Sequence, residues 1–125
     1  MTPAIRFEGM SIPVSDVARS AAFYQTLGFA VEQIGPAFAL LRLGEGTIGL
    51  LRARLDDYPT TARQRVHIEL SVDDLDAAYA DLRGRDLAID EPPHDEPWER
   101  ALALSDPDGY HVEIAQGRRG HNQPR

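Results

Sequence analysis

Alternating apolar and polar residues between positions 66 and 72 predict a β-strand with two chemically different faces. Side chains alternate across a strand with a period of two, so the apolar and polar residues separate into Ile68, Leu70 and Val72 on one face and His67, Glu69 and Ser71 on the other. Asp73 or Asp74 then caps a helix to about Arg85, whose apolar residues recur every three or four positions. The pattern predicts a helix that covers the apolar face of the strand.

The same pattern occurs 58 residues earlier, the offset between positions 14 and 72. Val14 falls on Val72 and Asp16 on Asp74, so both the strand and the capped helix are repeated. In this register Gly9 lies opposite His67. Because a repeat at a fixed spacing decides architecture, the chain is expected to contain two copies of one unit.

Each copy is expected to continue into three further strands, bounded by glycine and proline. The strands expected in the first copy are Phe7 to Val14, Phe29 to Ile34, Phe38 to Leu43 and Thr47 to Arg52, with a helix ending near Leu27. The later strands of the second copy are expected at 87–90, 99–105 and 110–115, and the stretch 92–97 is expected to be a loop.

These elements predict an α+β fold of two βαβββ modules in a single domain that spans residues 1–116. The expected parts are module one at 5–52, a linker at 53–65, module two at 66–116 and a polar tail at 117–125. In the last strand His111 and Glu113 share a face, as His67 and Glu69 do in the first strand of module two. If the helices cover the apolar faces, these four side chains line a concave surface.

The charge and composition of the chain exclude some classes of binding partner. The 125 residues carry 20 acidic and 13 basic side chains, for a net charge of −7. This balance argues against a nucleic-acid or anionic-membrane surface, which would need a basic patch. The chain has no Cys for disulfide or thiolate chemistry, and no apolar run long enough to cross a membrane is expected. The default expectation is a soluble cytoplasmic protein.

Several motifs resemble those of the vicinal oxygen chelate superfamily, which has the glyoxalase, bleomycin-resistance and extradiol dioxygenase fold. They are Val14-Ser15-Asp16, Phe23-Tyr24, Leu27-Gly28-Phe29, the stretch 67–74, Asp106-Pro107-Asp108-Gly109-Tyr110 and Val112-Glu113. The resemblance implies sheets curled into a cup with helices on the outer face, and a homodimer. It is weak evidence for function, because this fold hosts unrelated activities.

The resemblance also implies positions for a divalent metal such as Ni, Zn, Mn or Fe. His67 and Glu113 occupy two of the four ligand positions, but Gly9 occupies a third, and the last strand of module one, at 49–52, offers no carboxylate. A catalytic divalent site generally needs three protein ligands, so Glu69 or His111 would have to complete it. The alternative is that His67 and Glu113 form a hydrogen-bonded structural pair.

The stretch 96–100 resembles the part of bleomycin-resistance-like proteins in which an aromatic side chain helps to wall a ligand groove. Trp98 is the only Trp of the chain, and it is followed by Glu99 where that subgroup commonly has Gly. The expected ligand-binding residues are Trp98, Arg100, Glu69 and His111. The alternative is that Trp98 packs in a core or a dimer interface.

Three functions remain open at this stage. The first is a homodimer that binds a small molecule, such as an antibiotic or natural product, without a complete metal site. The second is a divalent-metal-dependent lyase, isomerase or dioxygenase that acts on vicinal oxygens. The third is a metal-free enzyme with Glu113 or Glu69 as general base. The Asp106 to Gly109 stretch is expected to be only a tight turn, and His94 and His121 are expected to be solvated.

Overall fold

The computed structural model describes residues 2–117, which contain eight strands and three helices. The first compact unit ends at Asp57 and the second begins at Tyr58. The elements of the first unit are β1 (Gly9–Val14), α1 (Val17–Thr26), β2 (Ala30–Ile34), β3 (Phe38–Leu43) and β4 (Gly46–Arg52). Those of the second are α2 (Thr60–Arg63), β5 (His67–Ser71), α3 (Leu75–Gly84), β6 (Glu91–Asp95), β7 (Glu99–Ser105) and β8 (His111–Gly117).

Each unit contains a four-stranded mixed sheet. The strand orders are β1-β4-β3-β2 and β5-β8-β7-β6, so the first strand of each module pairs in parallel with its last strand. The two orders are identical once the second is renumbered from its own first strand. The predicted α+β class with two βαβββ modules is therefore confirmed, and the assignment of residues 1–116 to one domain stays a prediction.

Helix α1 begins where Asp16 accepts a hydrogen bond from the Arg19 amide at 3.0 Å, which satisfies one of the free amides of the first turn. The helix buries one stripe of side chains against its sheet, namely Val17, Ser20, Ala21 and Tyr24. The Ser20 hydroxyl is fully buried and has no hydrogen-bond partner among residues 2–117. Tyr24 packs edge-to-face on Phe29 at 5.5 Å between ring centroids.

Helix α3 repeats this arrangement in the second unit. Asp74 caps it by accepting from the Ala77 amide at 3.1 Å, and the Leu75 amide donates to Gln116 Oε1 of β8 at 2.7 Å. The apolar side chains buried in this unit include Leu75, Leu82, Leu102, Leu104, Val112 and Ile114. Both predicted caps and both predicted helices are confirmed.

The turn between β7 and β8 is built on Asp106, whose Oδ1 accepts from the amides of Asp108 at 2.9 Å and Tyr110 at 3.0 Å. Gly109 adopts φ +90°, a conformation that favours glycine. The Arg63 side chain of α2 donates to the backbone oxygens of Asp108 and Tyr58. This turn is the one predicted from the sequence, and its contact with α2 was not expected.

Two predictions about elements were wrong. The stretch 92–97 was expected to be a loop and 87–90 a strand, but β6 is formed by 91–95. Proline lacks an N–H and is tolerated on an edge strand, and β6 is the edge strand of its sheet, with a register irregularity at the prolines. The stretch 53–65 contains the short helix α2, and β8 extends to Gly117; the linker and the tail stay predictions. The remaining tail, 118–125, lies outside the described residues. Within residues 2–117, none of the helices has the length and apolarity needed to span a bilayer.

Candidate functional site

The parallel pairing of β5 with β8 places four polar side chains on one face. His67 is paired with His111 and Glu69 with Glu113, and paired residues of neighbouring strands point to the same side of a sheet. The residues between them, such as Ile68 and Val112, point toward the opposite face, on which α3 packs. The sequence predicted this group of four correctly. We call the side away from α3 the polar face.

The two histidines of the polar face stack at 4.4 Å between ring centroids, with 39° between the ring planes. Burial, and then the neighbouring His67, lower the pKa of His111 from its ordinary value of 6.5. His111 is therefore neutral at pH 7. Its Nε2 lies 3.7 Å from Glu113 Oε2, so at neutral pH this contact is not an ion pair.

Glu99 joins the polar face from β7. Its carboxyl group is hydrogen-bonded to the carboxyl of Glu113, which is the main cause of a raised pKa at Glu99. A hydrogen bond between two carboxyl groups requires a proton on one of them, so this contact favours the protonated form of Glu99. Ala101 and Ala115 are paired between the two, and their small side chains leave the space in which the carboxyls meet.

Trp98 precedes Glu99 at the tip of the β6–β7 hairpin, and 56% of its surface is exposed. Its indole is hydrogen-bonded to the Glu99 carboxyl, which lowers the pKa of Glu99 and so opposes part of the rise. A nearly continuous row of side chains runs along the polar face: Trp98, Glu99, Glu113, His111 and His67.

Sequence reasoning missed Glu99. A signal was present, because Glu99, Ala101 and Ala103 follow the period of two in β7. Converting that period into a position on the polar face requires the pairing of Ala103 with Glu113, which the sequence does not give.

Arg100 is placed away from the polar face. Its guanidinium lies 3.0 Å from Asp76 of α3 and 3.3 Å from Asp95, and it is paired with Gln116, on the helix-covered side. The structure therefore brings Glu69 and His111 together with His67 and Glu113, sets Trp98 at the end of the row, and leaves Arg100 with α3.

The residues present do not fit a divalent metal centre. A Cβ added to Gly9 would lie 1.9 Å from the carbonyl oxygen of Thr47, so no ligand side chain can be built there without moving backbone. Residues 2–117 contain no group of three or more His, Asp or Glu arranged to hold a metal ion. His67 and Glu113 alone fall short of the three protein ligands that such a site generally has.

The first unit contains an open groove of about 560 Å³. Its lining comprises 15–18 at the start of α1, 34–36 after β2, and Arg52. None of the predicted site residues lies in this groove, which is also far in sequence from the titratable row. The chemistry of the chain is concentrated on the polar face of the second unit.

The chain belongs to the glyoxalase, bleomycin resistance protein and dioxygenase superfamily, whose family model matches residues 6–114. Members of this superfamily include metal-dependent enzymes and proteins that bind ligands, so membership alone does not select an activity. Among curated protein sequences, no match is found.

Solved structures agree with this assignment. A glyoxalase, bleomycin resistance protein or dioxygenase from Nocardioides has a TM-score of 0.76 and 21% identity, over all of this chain and 91% of that one. A bleomycin-binding protein complexed with bleomycin has a TM-score of 0.73 and 22% identity, over 91% of this chain and 100% of that one. TnmS3, an antibiotic-binding protein from Streptomyces, has a TM-score of 0.71 and 29% identity, over 94% of this chain and 100% of that one.

Proposed function

We propose that this protein binds a small natural product, such as an antibiotic, on the polar face, against Trp98. The observation that carries the proposal is the exposed indole of Trp98 joined by a hydrogen bond to a row of titratable side chains. An exposed aromatic ring offers a rigid apolar surface to a planar group.

Charge defines the class of ligand. Several carboxyl groups, including those of Glu69, Glu99 and Glu113, occupy the polar face. Among the residues that form the strands β5, β6, β7 and β8 themselves, the one arginine is Arg100, and it lies on the other side. A negative potential of this kind favours a cationic or hydrogen-bond-rich ligand. Two structural relatives support this direction, since one is a bleomycin-binding protein and the other an antibiotic-binding protein.

Titration of the purified protein with bleomycin and with a panel of cationic and neutral antibiotics tests the proposal. Trp98 is the only Trp, so saturable quenching of tryptophan emission reports binding near it. Glu113→Gln should weaken a cationic ligand about tenfold, as expected for a hydrogen bond to a charged group, whereas Glu45→Gln, in the exposed β3–β4 turn, should bind as the wild type does. Unchanged emission across the whole panel would contradict the proposal.

We also propose that the chain forms a homodimer in the cytoplasm. The family resemblance motivates the dimer, and six exposed large hydrophobic side chains of the first unit are consistent with a contact surface: Ile5, Phe7, Met10, Ile34, Leu43 and Leu51. Sedimentation equilibrium checks the dimer, because a species of 13.8 kDa at all concentrations would exclude it. Fractionation of cells that express the protein checks the location.

A metal-free acid–base enzyme is the second candidate. It is favoured by the carboxyl pair of Glu99 and Glu113, in which one group holds a proton while the other is free to accept one. A screen for proton exchange at carbon acids in deuterated water tests it, with Glu113→Gln as the inactive control. Turnover that survives Glu113→Gln would remove this candidate.

A further inference from the structure

His94 lies in β6 with an oxygen acceptor at each of its ring nitrogens. Its Nδ1 is 3.0 Å from the carbonyl oxygen of Pro92, and its Nε2 is 3.2 Å from Glu96 Oε1. A backbone carbonyl and a carboxylate only accept hydrogen bonds, and a neutral imidazole has a single N–H. Both contacts are therefore hydrogen bonds only when the ring carries two protons.

The strand that holds His94 is weakly attached to its sheet. Pro92 and Pro93 have no N–H to donate, and the register of β6 on β7 shifts between Glu91 and His94. Because backbone hydrogen bonds are missing here, side-chain hydrogen bonds contribute a larger part of the stability of this hairpin than they do in a regular ladder.

Trp98 is presented by this hairpin. The turn that contains it is closed by a hydrogen bond from the Glu96 amide to the Glu99 carbonyl at 2.7 Å. The side chain of that same Glu96 is the partner of His94 Nε2. The protonation state of His94 thus affects Glu96, the first residue of the turn that contains Trp98.

We propose that His94 is a pH-responsive lock on the β6–β7 hairpin, which holds Trp98 in place when the ring carries two protons and releases it when the ring carries one. The lock itself needs only the hydrogen bonds described above. Its effect on ligand affinity rests on the proposed function, in which Trp98 contacts the ligand.

The charged groups around His94 support a protonated ring. On its own strand and turn, Glu91 and Glu96 act on it directly. From β7, Glu99 shares the face of His94, whereas Arg100 points to the other side and pairs with Asp95 and with Asp76 of α3.

The direction of the pH response follows from these contacts. The hydrogen bond to the Pro92 carbonyl, then that to Glu96, raise the pKa of His94 above its ordinary value of 6.5. A group with a raised pKa in the folded state stabilises that state fully below the ordinary value, and the contribution is lost as pH rises through the raised value. The hairpin is therefore locked at a pH below 6.5 and is released as pH rises through the raised pKa of His94.

The test follows the His94 ring and the single Trp98 indole by NMR in the free protein between pH 5 and pH 9. The two groups should titrate with the same midpoint, above 6.5. In His94→Gln this phase of the indole titration should vanish, and in Glu96→Gln its midpoint should fall. Glu45→Gln, outside the hairpin, should leave both unchanged. If the phase of the indole titration with the His94 midpoint persists in His94→Gln, the lock is overturned.

Bleomycin titrations at pH 6 and pH 8.5 then test the link to binding. The wild type should bind about two- to fivefold more weakly at the higher pH, the range that an exposed ion pair supports. Comparison with His94→Gln at each pH cancels the titration of bleomycin itself, and the variant should lack this change. If bleomycin and the antibiotic panel fail to bind while the indole still follows His94, the proposed function fails and the lock stands. Binding without the coupled titration overturns the lock alone.

Discussion

The two modules share one topology and differ in the side chains that their sheets turn away from the helices. In module two the paired positions of the first and last strands hold His67 with His111 and Glu69 with Glu113. The equivalent positions of module one hold Gly9 with Thr47 and Ser11 with Gly49. The helix-covered sides keep the same apolar character in both. The apolar residues on the helix-covered side of each sheet stabilise the fold. The residues on the other side can therefore differ between the modules, with titratable side chains in module two and none at the equivalent positions of module one.

Packing makes this difference hard to reverse. A Cβ at Gly9 would meet the Thr47 carbonyl oxygen at 1.9 Å, and one at Gly49 would meet the Ser11 hydroxyl at 2.4 Å. Module one has therefore closed the space in which side chains like those of module two would sit.

The largest expected change in stability comes from placing a side chain of module two at the equivalent position of module one. Gly9→His should lower the free energy of unfolding by about 3 kcal/mol, because it combines backbone overlap with a side chain at φ +154°. Urea denaturation measures it. The reverse change, His67→Gly, should cost at most about 1 kcal/mol, the usual penalty of glycine in a strand. Equal losses in the two variants would refute the packing argument.

A second difference lies in the connections before the last strand of each module. Asp106→Ala removes the acceptor of two backbone amides in a buried turn and should cost about 2 kcal/mol. Module one uses a short turn at Gly44, and Glu45→Ala in that turn should change stability by less than about 0.5 kcal/mol. Thermal unfolding of both variants checks the contrast, which a stable Asp106→Ala protein would contradict.

At one pair of equivalent positions in the two helices, α1 has a buried Ser20 and α3 has Ala78. Ser20→Ala should raise the free energy of unfolding by about 1 kcal/mol, because it removes a buried hydroxyl that has no partner within residues 2–117. Ala78→Ser places its hydroxyl at a partly exposed site and should change stability by less than about 0.5 kcal/mol. Chemical denaturation of both variants measures the changes, and a destabilised Ser20→Ala would show that the hydroxyl is satisfied.

The smallest effect is a pH dependence that module one cannot show. The folded state holds the proton of Glu99 above its ordinary pKa of 4.5, so it binds more protons than the unfolded chain there, and stability falls as pH rises from about 4.5 toward the raised value. Glu99→Gln removes that proton and should flatten this part of the curve. Unfolding midpoints between pH 4 and pH 7 check it. Identical curves for Glu99→Gln and wild type would mean that no proton is shared.

Local patterns sufficed where a residue's role depended on its neighbours in sequence. Ser15 or Asp16 was expected to cap the first helix and Asp73 or Asp74 the second, and the caps are Asp16 and Asp74. The period of two assigned His67 and Glu113 to one side of their strands, as the structure has them. The strand at 99–105 was predicted with its observed bounds.

The features that could not be predicted from the sequence depend on pairing between strands that are distant along the chain. Proline at 92 and 93 indicated a loop, but an edge strand tolerates the missing donors, so β6 forms there. Glu99 became part of the polar face only through the register of β7 on β8. The partners of Arg100 lie on α3 and β6, and no spacing along the chain relates those elements.

The contact between α2 and the Asp106 turn bears on how this chain can be divided. The sequence repeat starts anew near residue 66, but Arg63 binds backbone oxygens at both Tyr58 and Asp108. The repeated sequence pattern and the compact unit therefore have different borders, because the second unit begins at Tyr58 and includes an N-terminal extension before the repeat. Gene fusions and split-protein designs should cut before Tyr58, so that this extension stays with the half to which it is bonded.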